Sequence, residues 1–86
     1  MHVVYYENIP AFYERSRPLL EQKPVLYAQM RSIVHSILRN PQAYGEYAPY
    51  GLAVVDEQDQ ILGAAIRTPP FPLMVTEMSD DVAAAL

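Results

Sequence analysis

Two apolar runs separated by five polar residues constrain the fold of this chain more than any other feature. The runs are YGLAVV at residues 50–55 and ILGAAIRT at residues 61–68, and DEQDQ joins them. Two strand-length apolar segments around a short polar connection predict an antiparallel β-hairpin. The first run is nearly continuous rather than alternating, which is typical of a strand covered on both faces. Gly63 inside the second run predicts a β-bulge or a close backbone approach.

The segments on either side of the hairpin predict further strands and a first helix. HVVYY at residues 2–6 is β-branched and aromatic, as expected of a strand. IPAFYERSR then forms a short amphipathic helix that Asn8 caps and that Pro18 ends or kinks. The PPFP segment requires an extended connection, after which LMVTEM at residues 73–78 predicts a third strand of the same sheet.

The most regular pattern lies between Pro24 and Arg39, where apolar residues recur at helical spacing. They are Leu26, Met30, Ile33, Val34, Ile37 and Leu38. This i, i+4, i+7, i+8 pattern predicts an amphipathic second helix. The Asn-Pro pair at 40 and 41 ends it, because a residue before proline is disfavoured in the α region.

The order of these elements predicts a single domain over residues 1–86 of the α+β (α/β-like) class. It reads strand, helix, helix, strand, strand, strand, followed by the start of a helix, with a mostly antiparallel sheet and two helices packed on it. The last segment, SDDVAAAL at residues 79–86, has an N-cap serine, two acidic residues that suit the helix dipole, and three alanines. We expect this helix to continue beyond Leu86 in a longer protein.

Composition narrows the classes of protein and of partner. The net charge of −4 and six scattered basic residues argue against a nucleic-acid partner, because phosphate binding requires clustered Lys and Arg. The absence of cysteine excludes disulfides, Cys-based metal sites and thiol nucleophiles. No apolar run approaches the ~20 residues of a membrane span, and the N-terminal residues are not a secretory signal. We expect a cytoplasmic chain without a membrane partner.

Residue chemistry assigns no catalytic, cofactor-binding or metal-binding residue. His2 and His35 have no partner at metal-ligand spacing. DEQDQ lacks the central glycine and distal glutamate of a calcium loop, which favours a solvated hairpin turn. The serines lie outside any G-x-S-x-G motif.

Three tyrosines and one arginine are the only candidates for contact with a substrate or a partner. Tyr44, Tyr47 and Tyr50 lie in a loop with glycine and proline, where they either line a pocket or partner surface or cover the edge of the core. Arg67 ends a predicted strand just before the prolines. It either contacts an anion or pairs with a local carboxylate.

The stretch GLAVVDEQDQILGAAIRTPPFPLMV resembles the second and third strands of GNAT-family N-acetyltransferases. Members of that family often show a hydrophobic strand, an acidic turn and an (I/V)-(V/L)-G opening the next strand. The preceding strand–helix–helix order is similar to the family's N-terminal layout. AAIRTPPFPLMV further looks like a subgroup of large bacterial acetyltransferases, in which RTPP followed by apolar residues recurs in the N-terminal half. The specific residues of the resemblance run from about Gly51 to Val75.

The resemblance implies a parent enzyme that transfers acetyl from acetyl-CoA to a small-molecule amine by direct attack in a ternary complex. It also implies a coenzyme loop, (R/Q)-x-x-G-x-(G/A), entering a helix whose N-terminus binds the pyrophosphate. TEMSDD stands in that place here, and none of Gly45, Gly51 and Gly63 lies in such a motif. We therefore expect a catalytically silent N-terminal part that binds no cofactor itself, with acetyl-CoA bound elsewhere in the parent.

Unpaired sheet edges and an exposed apolar face suggest what completes the fold. A sheet covered by two helices on one side leaves edges that promote association. The expected partner is the missing C-terminal half or a second copy of the chain. The alternative is a stand-alone, non-enzymatic interaction module that self-associates through its sheet or its tyrosine-rich loop.

Overall fold

The computed structural model describes residues 1–45 and 47–86, which form four strands and three helices. The elements in chain order are β1 (His2–Tyr6), α1 (Ile9–Gln22), α2 (Ala28–Arg39), β2 (Tyr50–Val55), β3 (Ile61–Arg67), β4 (Met74–Val75) and α3 (Asp80–Ala85). The α+β class and the predicted order of elements are confirmed.

The four strands form one antiparallel sheet in the order β1-β2-β3-β4. β2 and β3 are the predicted hairpin. Val54 pairs with Gly63, but the next residue, Val55, pairs with Ile61. Leu62 is therefore the extra residue of a β-bulge. This bulge lies next to Gly63, as the sequence predicted. β1 and β4 are the two edges of the sheet.

Alternation along β3 places α1 and α2 on one face of the sheet and α3 on the other. Ala64 and Ile66 belong to the core formed with α1 and α2, and we call their side the helical face. Gly63 points the opposite way, because a Cβ at this position would meet Met78 and Val82 at 2.9 and 3.1 Å. We call this opposite side the α3 face.

The core lies on the helical face, where α1 and α2 cover the sheet. Its buried members are Ile9, Phe12, Leu20, Tyr27, Met30, Val34, Ile37, Ala64 and Ile66. Phe12 lies directly over Gly51, where a Cβ would stand only 2.3 Å from the ring. A glycine at this position of β2 therefore allows α1 to approach the sheet closely.

The first helix is longer than the sequence predicted. Asn8 caps it as expected, because its side chain accepts a hydrogen bond from the Ala11 amide at 2.9 Å. Pro18 was expected to end or kink the helix, and the first of these alternatives is wrong, since α1 continues to Gln22 with Pro18 inside it. The reason is packing: Leu20, beyond the proline, is fully buried in the core and holds the last turn in place.

The second helix starts later than the sequence predicted. The segment 23–27 forms a separate turn, closed by a 3.0 Å hydrogen bond from the Tyr27 amide to the Lys23 carbonyl, and α2 begins at Ala28. Leu26 is consequently 56% exposed rather than part of the apolar face. Met30, Val34 and Ile37 are buried as the periodicity predicted.

The fourth strand has only two residues, although the sequence predicted a strand over 73–78. Its regular ladder ends at Thr76, whose hydroxyl accepts the hydrogen bond of the Ala64 amide at 3.0 Å. The Thr76 amide still donates to the Ala64 carbonyl at 2.9 Å. The Thr76 hydroxyl thus takes the place of a main-chain carbonyl as the acceptor for the Ala64 amide, and the chain leaves the sheet at Thr76.

The last helix covers part of the face that the sequence left bare. Ser79 caps α3 as predicted, since its hydroxyl accepts from the Val82 amide at 3.3 Å. Val82 is 6% exposed against β3. α1 and α2 thus cover one face, as expected, and α3 covers part of the other. Val3 and Tyr5 of β1 remain exposed on the α3 face.

Candidate functional site

A groove lies between α2 and the β4 edge of the sheet. It has two chambers, which share Gln29 and Met74. The wide chamber measures about 550 Å³ and is lined by Gln29, Ile33, Tyr44, Ile66, Thr68, Phe71, Pro72, Leu73 and Met74. The narrow chamber measures about 240 Å³ and is lined by Leu26, Tyr27, Gln29, Met30, Met74, Val75 and Glu77.

The wide chamber forms where β3 turns back into β4. The turn is closed by a hydrogen bond from the Phe71 amide to the Thr68 carbonyl at 2.9 Å. Arg67 secures it from outside, because its Nε donates to the Phe71 carbonyl at 3.2 Å. These contacts hold the Phe71–Leu73 side of the chamber opposite Ile33 of α2.

The chemistry of the wide chamber is apolar with three uncharged polar groups. These belong to Gln29, Tyr44 and Thr68, and no charged side chain of residues 1–45 and 47–86 lines the chamber. Thr68 is only 7% exposed. The chamber therefore suits an uncharged molecule rather than an ion.

The narrow chamber is held by two contacts to Glu77. Its backbone amide donates to the Tyr27 hydroxyl at 3.2 Å, and its carboxylate pairs with Lys23 at 3.2 Å. The ion pair is well exposed and contributes little. The Tyr27 bond joins the start of α2 to the chain leaving β4.

Exposed apolar side chains surround this groove. They are Leu26, Phe71, Leu73 and Val75. They flank β4, which is an unpaired edge of the sheet. An apolar rim at a sheet edge is a typical place for another chain segment to pair.

The structure places the four residues singled out in the sequence at three separate positions. Tyr44 lines the wide chamber. Tyr47 lines another cavity, of about 450 Å³, between the start of α1 and the end of α2. Tyr50 packs on Tyr5 with ring centroids 5.3 Å apart and pairs across the sheet with Arg67. Only Tyr44 therefore contributes to the groove.

Sequence reasoning missed Gln29 and Thr68 as members of the site. Gln29 lies on the polar face of the amphipathic pattern of α2, and Thr68 ends a strand pattern. Neither position carries a local signal that distinguishes it from a solvated residue. Only the packing of α2 against the β3–β4 turn brings them to one chamber.

Two of the three carboxylates of the hairpin turn, those of Asp56 and Asp59, contact other groups of the chain. Asp56 accepts hydrogen bonds from the amides of Gln58 and Gln60, both at 2.9 Å. Asp59 has a positive φ of 64° and pairs with Arg15 of α1 at 2.9 Å. Within residues 1–45 and 47–86, no group of three or more His, Asp or Glu side chains is arranged to hold a metal ion.

His35 and Arg17 do not line the groove. His35 packs edge-on against Tyr13, with ring centroids 5.1 Å apart. The pKa of Arg17 is raised, chiefly because its Nε donates a 2.8 Å hydrogen bond to Glu21 and also because of the charge of that carboxylate. Among the helices the structure describes, none combines the length and apolarity needed to cross a bilayer.

No family model, curated protein or solved structure matches this chain.

Proposed function

We propose that this chain is the catalytically silent N-terminal part of a GNAT-like N-acetyltransferase, in which it serves as scaffold and as substrate-side wall. The observation that carries the proposal is the order β-α-α-β-β-β-α on an antiparallel 1-2-3-4 sheet, with an acidic turn between β2 and β3. This order agrees with the layout implied by the sequence resemblance. The ILG segment, which is part of that resemblance, opens β3.

The end of the chain supports a silent role in the proposed enzyme. α3 begins with Asp80 and Asp81, whose charges repel the phosphates of acetyl-CoA. Its cap is already filled, because Ser79 accepts from the Val82 amide. Gly63, the glycine nearest to this helix, is covered by Met78 and Val82. Acetyl-CoA then binds to another part of the parent, which transfers the acetyl group to an amine.

The unpaired β4 edge supports the partner in this proposal. Leu73 and Val75 are exposed at 38% and 50%, although they lie on or next to a strand. The C-terminal half of the parent covers this edge and buries the two side chains. Tyr50 and Arg67, which pair across the sheet, then offer the substrate-side wall.

Two measurements test the proposal. Isothermal titration calorimetry of the 86-residue chain with acetyl-CoA should show no binding, with an enzyme that contains the coenzyme loop as positive control. Micromolar binding would contradict the silent role. The gene should encode an (R/Q)-x-x-G-x-(G/A) segment downstream of the codon for Leu86. A downstream frame without that segment would refute the assignment to a GNAT-like enzyme.

A self-associating, non-enzymatic module is the second candidate, and the exposed side chains of β1 favour it. Val3 and Tyr5 are 36% and 55% exposed on the α3 face, beside an unpaired sheet edge. Sedimentation velocity should then show a concentration-dependent dimer that Tyr5→Glu abolishes. Val25→Glu is the control, because Val25 is exposed but lies in neither the sheet nor the tyrosine-rich loop. A monomer at all concentrations would exclude this candidate.

A further inference from the structure

We propose that the wide chamber is a binding site for an uncharged, mainly apolar small molecule that carries a hydrogen-bonding group. The proposal goes beyond the acetyltransferase assignment and does not depend on it. A protonated amine and a coenzyme phosphate are both charged, and neither is the ligand that this chamber fits.

The size and walls of the chamber fit a small organic molecule. Its volume of about 550 Å³ falls in the usual range of ligand sites, roughly 300–1,000 Å³. The deeper wall is formed by Ile66, which is 1% exposed, and by the half-buried Ile33 and Met74. Phe71 and Leu73 stand at the rim, 55% and 38% exposed. A ligand that covers these rim side chains gains apolar contact on several sides.

The hydrogen-bonding groups of the chamber are free to contact a ligand. Thr68 is 7% exposed as a residue, but its hydroxyl is not among the buried, unpartnered polar side-chain atoms of residues 1–45 and 47–86, of which Arg31 Nε is the one example. The Thr68 side chain faces the chamber, which it lines. The Gln29 amide and the Tyr44 hydroxyl bond to no residue in those ranges. A ligand group that bonds the Thr68 hydroxyl therefore adds a directional contact to the apolar ones.

Among the residues that the structure describes, the lining carries no charged side chain, and this favours an uncharged ligand. Lys23 and Glu77 form an ion pair with each other at the narrow chamber. Arg67 donates a hydrogen bond to the Phe71 carbonyl and does not line the wide chamber. An ionised ligand would lose hydration in the wide chamber without gaining a counter-charge. An apolar ring or branched chain with a hydroxyl or N–H group loses little hydration and gains the Thr68 contact.

The experiment is a ¹H–¹⁵N correlation titration of the ¹⁵N-labelled chain with two neutral probes, indole and cyclohexanol. We expect saturable shifts at the amides of Ile33, Thr68, Phe71 and Met74 with at least one probe. Tryptamine, which adds a charged amine to the indole ring, should bind at least about tenfold more weakly. No saturable shift with either neutral probe overturns the proposal, as does equal binding of tryptamine or a shift pattern centred on Tyr47.

Two variants test the polar contact without disturbing the fold. Thr68→Val keeps the side-chain volume and should weaken the binding of indole about three- to tenfold. The binding of 1-methylindole, which lacks the N–H donor, should not change with this substitution. Gln29→Leu, on the exposed surface of α2, is the second variant and should also weaken indole binding. Tyr47→Phe, in the separate cavity, is the control. If neither Thr68→Val nor Gln29→Leu changes the affinity for indole, the proposed polar recognition is wrong.

Discussion

Replacing Gly51 with alanine would place a methyl group inside the contact distance of the Phe12 ring. The added Cβ would lie 2.3 Å from Cδ1 and 2.5 Å from Cγ of that ring. Phe12 is fully buried and packs near Tyr6, with ring centroids 6.0 Å apart. The ring therefore moves only if other core side chains move with it.

The expected loss of stability follows from this distance. The ring must retreat by about 1 Å to reach an ordinary contact of 3.4 Å. Overpacking of a close-packed core typically lowers the free energy of unfolding by about 1–3 kcal/mol. We expect Gly51→Ala near the upper end of this range, because the new Cβ would meet ring atoms close to the Cβ of Phe12. With an m-value of about 1 kcal/mol/M, a loss of about 3 kcal/mol lowers the urea midpoint by about 3 M.

The measurement is urea unfolding followed by far-ultraviolet circular dichroism, with Gly63→Ala as the matched control. Gly63→Ala meets the flexible end of Met78 at 2.9 Å and should lose less than about 1 kcal/mol. Phe12→Leu should restore part of the loss in the double variant, with a coupling energy of about 1 kcal/mol. The close approach of α1 to β2 would be refuted if Gly51→Ala destabilised the chain no more than Gly63→Ala.

Three further substitutions test contacts at the groove, the hairpin turn and α3. Tyr27→Phe removes the acceptor of the Glu77 amide and should lower the free energy of unfolding by about 1 kcal/mol, with faster hydrogen exchange at Glu77; an unchanged exchange rate would contradict this. Asp56→Ala removes the acceptor of two turn amides and should lower the free energy of unfolding in urea by about 1–2 kcal/mol. Asp56→Asn should retain most of the stability, and equal losses in the two variants would argue against the role of Asp56 in the turn. Ser79→Ala removes the cap of a six-residue helix and should lose about 1 kcal/mol, with loss of exchange protection near Val82; full protection there would show that packing alone holds α3.

The elements with strong periodicity were predictable from the sequence. Met30, Val34 and Ile37 repeat at helical spacing and are buried in α2. The hairpin of β2 and β3 was predictable because two apolar runs stand on either side of a polar turn. In both cases the pattern of residues close together in the chain is enough to predict the element, and tertiary contacts do not change its type.

The element ends were not predictable, because contacts far apart in the chain decide them. α1 passes Pro18 since Leu20 finds a place in the core. The ladder of β4 ends because the Thr76 hydroxyl bonds to Ala64, which is 12 positions away. Local preference indicates where a helix or strand is favoured, whereas packing determines how far it extends.

The candidate site was predictable only in part. Tyr44 was singled out from its loop, and it lines the wide chamber. Gln29 and Thr68 join it from α2 and from the end of β3, and their positions in the sequence show no common pattern. A site built from three distant segments becomes visible only when the helix is packed on the sheet.

The pairing of β1 with β2 has a consequence for how the chain is made. Tyr6 pairs with Gly51, so β1 has no partner strand until about 45 further residues have been synthesised, which takes roughly 2–9 s at 5–20 residues per second. During that interval HVVYY is an aromatic, β-branched segment beside two helices without their sheet. The nascent chain is therefore most exposed to misassociation before residue 55 has left the ribosome, and it gains protection when β2 arrives.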